Sequence, residues 1–131
     1  MIELIAGIIL FFGAHSISIF ALPLRDQLAL KNEYAWKGIY SLISLAGIVL
    51  MVRGYGEFRL TADILYVSPI WLRHLSALIL LPFFIFMLAP YFPSVINRKL
   101  KHPQLVAIKL WAIAHLLVNG SVADIMLFGA F

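Results

Sequence analysis

A chain of 131 residues with 63% hydrophobic and only 12% charged residues lies far from the composition of soluble domains, which are roughly half apolar and about a quarter charged. Its net charge of +4 comes from Lys and Arg residues that stand mostly singly at the ends of apolar runs, a pattern typical of membrane topology and lipid contact that excludes a nucleic-acid-binding surface. The chain has no cysteine, which excludes disulfides, iron–sulfur clusters and thiolate ligation of haem, and leaves histidine as the main ligand for a metal or a haem.

The apolar runs predict an all-α fold, an integral membrane bundle of four transmembrane helices followed by a short or truncated fifth helix. We predict one transmembrane domain over residues 1–131, with helices near residues 2–22, 38–53, 70–92, 103–119 and 121–131. The last helix is expected to begin at Ser121, which with Asp124 matches a capping pattern, but it is too short to cross a core of about 30 Å. We therefore expect it to end against membrane-protein partners or further copies of this chain, or to continue in a longer form of the protein.

The first run contains His15, one helical turn from Phe11, so both residues lie on one face of the predicted helix. No basic segment precedes the run and no small-residue cleavage site followed by soluble sequence ends it, so we expect a permanent span and not a signal peptide. Pro23 is expected to end this helix, and residues 23–37 are predicted to form a polar loop.

The second and third runs contain residues typical of helix packing and few candidate functional residues. Close approach of the second helix to a neighbour is expected at Gly38, Ser41, Ser44 and Gly47. The mixed stretch 54–69 can lie along the membrane interface, and Pro82 should kink the third helix because proline cannot donate to the helical ladder. Arg73 is a candidate to bind an anionic group such as a haem propionate, although a cation at a helix end is the commoner role.

The fourth run has clear boundaries and an unusual polar and aromatic face. Pro103 suits the first turn of a helix, and Asn119-Gly120 is a stop signal. Between them, every fourth residue on one face departs from the aliphatic pattern: Trp111, His115 and Asn119. An ionisable side chain in hydrocarbon by default faces the bundle interior and has a partner there. The sequence therefore predicts that this helix carries the functional residues. His115 is expected to have a partner, which the pattern of this helix does not identify.

The distribution of basic residues predicts the orientation in a membrane. Residues 23–37 and 94–102 together contain six Lys and Arg, against three in the connection between the second and third runs and its flanks. By the positive-inside rule, loops 23–37 and 94–102 are predicted to be cytoplasmic and the N-terminus to lie outside.

His15 and His115 are the candidate metal ligands because their predicted depths match. Each lies well inside its run, roughly 10 Å and 18 Å from the same side of the membrane at about 1.5 Å per residue. Two facing imidazoles at mid-membrane can hold a metal ion or the iron of a porphyrin. For each histidine alone, a hydrogen-bonding role that joins helices is an equally good explanation, and Trp111 and Phe11 are more often packing residues than cofactor platforms.

Several motifs together resemble the NnrU family of bacterial membrane proteins. They are Gly-Ala-His-Ser in the first run, the stretch from Trp71 to Phe84, and the sequence from His102 to Phe131 with its Lys-x-Trp-Ala-x-x-His, Asn-Gly and Leu-Phe-Gly elements. The resemblance covers nearly the whole chain. It implies a bacterial inner-membrane location and an association with denitrification and nitrogen-oxide respiration.

The family is related to the 15-cis-zeta-carotene isomerases, which bind haem b through histidine. The resemblance therefore implies a haem b held by His15 and His115, and the candidate cofactor-binding residues are His15, His115, Trp111, Asn119, Phe11 and Arg73. The isomerases can carry a cysteine three residues before the fourth-helix histidine, but Ala112 stands there in this chain and excludes a thiolate ligand. Family members usually continue beyond Leu-Phe-Gly, so we expect this chain to lack part of the fifth span.

Three functions stay open on the sequence. The first is a haem b-binding membrane protein that is accessory to denitrification or nitrogen-oxide respiration. The second is a haem-dependent cis–trans isomerase of a carotenoid-like polyene, a hydrophobic small-molecule substrate for which the aromatic third run would line a tunnel. The third is a structural subunit of a membrane complex, whose histidines only join helices and which has no cofactor of its own. No pair of carboxylates or known catalytic motif identifies catalytic residues.

Overall fold

The computed structural model of the chain describes the backbone of residues 1–131 and all side chains except those of Ser18, Ile19 and Leu24. The described elements are helical, as predicted: α1 (Ile2–Phe20), α2 (Leu22–Lys31), α3 (Glu33–Phe58), α4 (Ile70–Leu80), α5 (Phe83–Leu88), a 3-10 turn (Ala89–Tyr91), α6 (Val95–Lys99), α7 (Pro103–Val118) and α8 (Val122–Ala130). The chain divides into two compact units, Met1–Thr61 and Ala62–Phe131. Each unit is described by itself.

Two segments have the length and apolar composition of a membrane span, Glu33–Phe58 and Ile70–Tyr91. Only 11% of the most apolar stretch of each is buried within the chain, unlike the core helix of a soluble protein. Two further apolar helices are shorter, over Ile2–Ile17 and Pro103–Val118. The exposed apolar side chains therefore favour a lipid environment, and the four predicted spans stay a prediction.

The first helix begins at Ile2 as predicted, but the other helix boundaries of the first unit differ from the predicted ones. The first helix ends at Phe20, and the predicted loop 23–37 contains α2, because Pro23 lies in the first turn of a helix, where its missing N–H has no partner to lose. The side chain of Asn32 accepts a hydrogen bond from Ala35 N at 3.0 Å, which caps α3 and lets it begin at Glu33. The second helix is consequently longer at both ends than the predicted 38–53.

The first unit is held together by a close backbone contact between α1 and α3. A Cβ atom at Gly54 would lie 2.2 Å from Leu4 N, one at Gly7 would lie 2.5 Å from Met51 N, and one at Gly47 would lie 2.8 Å from Phe11 N. Only glycine permits this approach. The expected role of Gly47 in packing is thus confirmed.

Gly38 has no such role, because a Cβ atom there would meet nothing within 4 Å. Gly7 and Gly54 were not predicted as packing residues. Both become packing residues only because the two helices run antiparallel in this register.

In the second unit, Pro82 interrupts the third run as predicted. α4 ends at Leu80 and α5 begins at Phe83, so the predicted helix 70–92 consists of two helices and the 3-10 turn. The stretch after α3 is extended, and Ile64 forms an isolated antiparallel bridge with Ser121. This stretch is therefore attached to the α7–α8 connection.

Hydroxyl groups of the second unit cap the end of α7. The last carbonyls of a helix have no partner within it. The Tyr66 hydroxyl shares its single O–H between Leu116 O and, at 2.8 Å, Asn119 O, while Ser68 donates to Leu117 O at 2.5 Å. One turn earlier, the buried Ser76 hydroxyl donates to Ala114 O at 2.7 Å. The extended stretch and α4 thereby hold the part of α7 that carries His115.

Gly120 contacts the extended stretch that follows α3. Its carbonyl accepts from Leu65 N at 2.8 Å, and a Cβ atom on it would lie 2.1 Å from Tyr66 O. The next helix, α8, begins with the capping box that the sequence predicted, in which Ser121 and Asp124 each accept from the other's backbone N–H. The Asn119-Gly120 stop signal is thus both a helix end and a close-contact point.

Candidate functional site

The imidazole of His15 is oriented by its own helix. Its ring lies against Phe11, with ring centroids 4.2 Å apart, and its Nδ1 lies 2.7 Å from Phe11 O. A carbonyl oxygen only accepts hydrogen bonds, so Nδ1 carries the proton and the neutral ring has its free lone pair on Nε2. Histidines that ligate metals typically use this arrangement, with one ring nitrogen donating to a carbonyl and the other facing the metal.

α3 supplies the other side of the His15 neighbourhood. The ring of Tyr40 lies 5.3 Å from that of His15, and Trp36 lies 6.3 Å from Tyr40. One turn after Tyr40, the buried Ser44 Oγ has no hydrogen-bond partner among the described residues. A buried polar atom usually has a partner, so this hydroxyl is a second polar group available to a ligand on the same face of α3.

His115 lies in an aromatic cluster formed by α7 and α8. Its ring is stacked on Phe128 at a centroid distance of 4.5 Å and an interplanar angle of 7°, and Trp111 meets it edge-on at 5.1 Å. Trp111 also contacts Phe128 at 5.1 Å and Phe131 at 5.6 Å. The predicted face of α7 is therefore confirmed as a contact surface.

Phe128 was not predicted as a neighbour of His115, and Phe131 was not predicted as a neighbour of Trp111. Their spacing of three residues does put them on one face of α8, but the sequence does not show that this face packs against α7. The capping box after Gly120 was the nearest available signal, because it makes the chain turn back directly after α7.

Asn119 determines which nitrogen of His115 is free. Its Nδ2 donates to His115 O at 3.0 Å and lies 3.4 Å from His115 Nδ1. An amide N–H is a donor, so His115 Nδ1 accepts, and the neutral ring then carries its proton on Nε2. In this tautomer Nε2 is not a metal ligand. The bond is long and contributes no more than about 1 kcal/mol, so a stronger ligand interaction can displace it.

Arg73 lies exposed in the second turn of α4 and forms no hydrogen bond or ion pair with any residue whose side chain is described. It belongs to the same unit as His115, but no described contact joins the two side chains. Its role as a partner for a haem propionate stays a prediction.

The donor set decides what kind of metal centre the chain can hold. Among the described residues, no group of three or more His, Asp or Glu side chains is arranged to hold a metal ion. A metal held by protein ligands alone typically needs such a set. Haem differs, since the porphyrin supplies four nitrogens and the protein needs to supply only one or two axial ligands. His15 fits that requirement as it stands, and His115 fits it only after a change of tautomer.

The predicted residues therefore fall into two groups. Phe11 and His15 contact each other in the first unit, and His115 contacts both Trp111 and Asn119 in the second. The pairing of the two histidines with each other stays a prediction.

Comparison with protein families finds one match, to the family described as NnrU protein, over residues 3–131 and thus essentially the whole chain. No curated protein and no solved structure matches the chain.

Proposed function

This chain belongs to the NnrU family, and from that premise we propose that it is an integral membrane protein that binds haem b and is accessory to denitrification or nitrogen-oxide respiration. The observation that supports the proposal most is the hydrogen bond from His15 Nδ1 to Phe11 O, which leaves Nε2 free to bind iron.

We propose four membrane spans, with α1 and α7 added to the two segments that have the length of a span. α1 has 19 residues and α7 has 16, which correspond to about 28 Å and 24 Å of helix, close to the thickness of a hydrocarbon core. Their flanking polar side chains can reach the head groups. With the N-terminus outside, segments 23–37 and 94–102 are cytoplasmic, and the location is a bacterial inner membrane. Both segments were predicted as loops, but the first contains most of α2 and the second contains α6.

His15 is the proposed principal axial ligand. The Phe11 carbonyl keeps the ring in one tautomer and orientation, and the aromatic rings of Phe11 and Tyr40 keep water away from it. His115 is the proposed second ligand, weaker because Asn119 holds it in the other tautomer. When bound, haem b supplies an iron centre suited to electron transfer or to binding a small gaseous ligand.

The test is the visible spectrum of the purified full chain, oxidised and reduced, after reconstitution with haem b. We expect a Soret band that His15→Ala abolishes or reduces about tenfold at limiting haem, with a smaller loss in His115→Ala. His74→Ala is the matched control, since His74 is exposed at the start of α4 and lies outside both aromatic neighbourhoods. A protein without a Soret band, or one whose band is unchanged in His15→Ala, overturns the proposal.

The contacts of His115 favour a second candidate function, that of a structural subunit without its own cofactor. Its ring is engaged by Phe128, Trp111 and Asn119 within one unit, as expected of a histidine that joins helices. On this function, His115→Ala lowers the thermal unfolding midpoint while wild type and variant are both colourless.

A further inference from the structure

Two grooves on the first unit meet at a pair of aromatic side chains. The headgroup groove, of about 840 Å³, lies between α2 and the beginning of α3 and is lined by Arg25, Asp26, Glu33, Trp36, Lys37 and Tyr40 among others. The chain groove, of about 200 Å³, lies between α1 and α3 and is lined by aliphatic side chains, Gly13 and again Trp36 and Tyr40. The polar groove and the apolar groove are therefore adjacent, because the same two rings line both.

The charges of the headgroup groove are two cations and two anions. Arg25 donates two hydrogen bonds to Asp26, at 2.7 and 2.9 Å, and Lys37 lies 2.6 Å from Glu33. The side chains of Asp26, Glu33 and Lys37 are more than half exposed and that of Arg25 is 41% exposed, and ion pairs of this kind contribute at most about 1 kcal/mol. Each charge is therefore available to a ligand at low cost.

The balance of these charges selects the ligand. A groove with equal numbers of cations and anions attracts neither a purely anionic nor a purely cationic group, but it matches a group that carries both charges. Carboxylates bind a primary ammonium best, because its three N–H groups donate hydrogen bonds that a quaternary ammonium lacks. Guanidinium and lysine ammonium groups suit a phosphate.

We propose that the two grooves together bind one zwitterionic glycerophospholipid with a primary ammonium, of the phosphatidylethanolamine class. Its phosphate lies at Arg25 and Lys37, its ammonium at Asp26 and Glu33, and one acyl chain runs past Trp36 and Tyr40 into the chain groove. Trp and Tyr are typical of the level at which head groups meet acyl chains, which agrees with this order. A contrasting surface lies in segment 94–102, whose Arg98, Lys99 and Lys101 have no acidic neighbour in that segment and suit an anionic lipid.

Gly13 and Gly56 provide a test position and a matched control position for the chain groove. Gly13 lines it, and Gly56 lies outside it near the end of α3; a Cβ atom at either position would meet nothing within 4 Å. Gly13→Leu should therefore fill the groove without separating the helices, and Gly56→Leu should add the same side chain elsewhere. We expect Gly13→Leu to weaken retention of phosphatidylethanolamine about tenfold and Gly56→Leu to leave it unchanged.

The experiment is native mass spectrometry of the full chain in detergent, titrated separately with phosphatidylethanolamine, phosphatidylcholine and phosphatidylglycerol of identical acyl chains. Wild type should retain phosphatidylethanolamine best, and the double variant Asp26→Asn/Glu33→Gln should lose that preference and bind phosphatidylglycerol at least as well. Lys99→Ala, the control outside the grooves, should reduce only phosphatidylglycerol.

Three results would overturn the proposal: equal retention of the three lipids by wild type, equal retention in Gly13→Leu and Gly56→Leu, or an unchanged preference in the double variant. Circular dichroism shows whether each variant is folded, and the double variant tests the ligand if Gly13→Leu is not. The experiment measures lipid retention and not haem binding. A protein without haem can therefore still support the lipid proposal, and a protein that binds haem can still overturn it.

Discussion

The neighbourhoods of His15 and His115 share a residue type and an aromatic setting, but they differ in the atom left free. Each ring lies against a phenylalanine, at 4.2 Å from Phe11 and 4.5 Å from Phe128. His15 donates from Nδ1 to a carbonyl, whereas His115 accepts at Nδ1 from an amide. The polar partner of each ring, and not its aromatic surroundings, thus distinguishes the two tautomers, and the long hydrogen bond at His115 can be displaced by a stronger ligand interaction.

The two units also stabilise their histidines in different ways. In the first, glycines bring the backbones of α1 and α3 together, and a ring hydrogen bond stays within one helix. In the second, hydroxyl groups from residues far away in sequence cap the carbonyls around His115. The first arrangement depends on the small size of the glycines, and the second depends on hydrogen bonds between different segments of the chain.

The largest effect is expected at a glycine of the first unit. In Gly54→Ala the new Cβ atom would lie 2.2 Å from Leu4 N, so α1 and α3 must separate, and we expect a loss of about 3 kcal/mol in the free energy of unfolding, or no folded protein. Gly56→Ala, in the same helix but facing open space, should be neutral or stabilise by up to about 1 kcal/mol. Thermal unfolding in detergent, followed by circular dichroism, measures the difference. Equal midpoints for the two variants would show that the backbones do not approach closely.

The hydroxyl caps of the second unit should be next in effect. Tyr66→Phe removes the one hydroxyl that two carbonyls at the end of α7 share, and we expect it to lower the free energy of unfolding by about 1 kcal/mol. Tyr34→Phe is the control, because Tyr34 is 87% exposed and should change stability by less than about 0.5 kcal/mol. If denaturant unfolding shows similar losses for both, the caps do not stabilise α7.

Replacing Asn119 by aspartate, a side chain of nearly equal size, should change the tautomer of His115. In Asn119→Asp, a carboxylate oxygen accepts from His115 Nδ1–H and leaves Nε2 free, as in His15. We expect ¹⁵N NMR of the imidazoles to show an unprotonated Nδ1 for His115 in wild type and an unprotonated Nε2 in the variant, with His15 unchanged. Under the proposed function, haem retention in His15→Ala should recover about tenfold when Asn119→Asp is added. An Nε2 signal that is already unprotonated in wild type would remove the contrast between the two histidines.

The smallest effect is a pH dependence confined to the second unit. The pKa of Tyr66 is raised, first by burial of its hydroxyl against α7 and second by the negative charge of Asp124. The folded state thus favours the neutral phenol, so the stabilisation is complete below the unfolded pKa of about 10 and is lost as the pH rises through the higher folded pKa. Wild type should therefore lose stability above about pH 10, while Tyr66→Phe should show a flatter profile there. Parallel unfolding curves for both proteins across that range would exclude this linkage.

Much of the second unit was predictable because its signals are local. Pro103, the Asn119-Gly120 stop and the capping box at Ser121 each act through the backbone of a few adjacent residues, and all three appear as predicted. The break at Pro82 is of the same kind. The helical spacing of Trp111 and His115 likewise follows from the geometry of one turn.

The wrong or missing predictions concern features that depend on a partner segment. Helix α2 was predicted as a loop because its residues are polar and Pro23 was predicted to end the first helix, although proline is also favoured in the first turn of a helix. The contact of Phe128 with His115 and the caps from Tyr66 and Ser68 connect residues separated by tens of positions or by a turn of the chain. No periodicity within one helix encodes such pairings.

The amino-acid sequence alone determined that this is an apolar, helical chain of the NnrU family, where most helices begin or stop, and which two histidines lie deep in apolar runs. Those properties follow from composition and from interactions within one helical turn. Only the tertiary structure decided which glycines are in contact and which hydroxyls cap α7, because these depend on the distances between atoms of different segments. The tautomer of each histidine depends on side-chain rotamers within one helical turn, which the spacing of the residues does not specify.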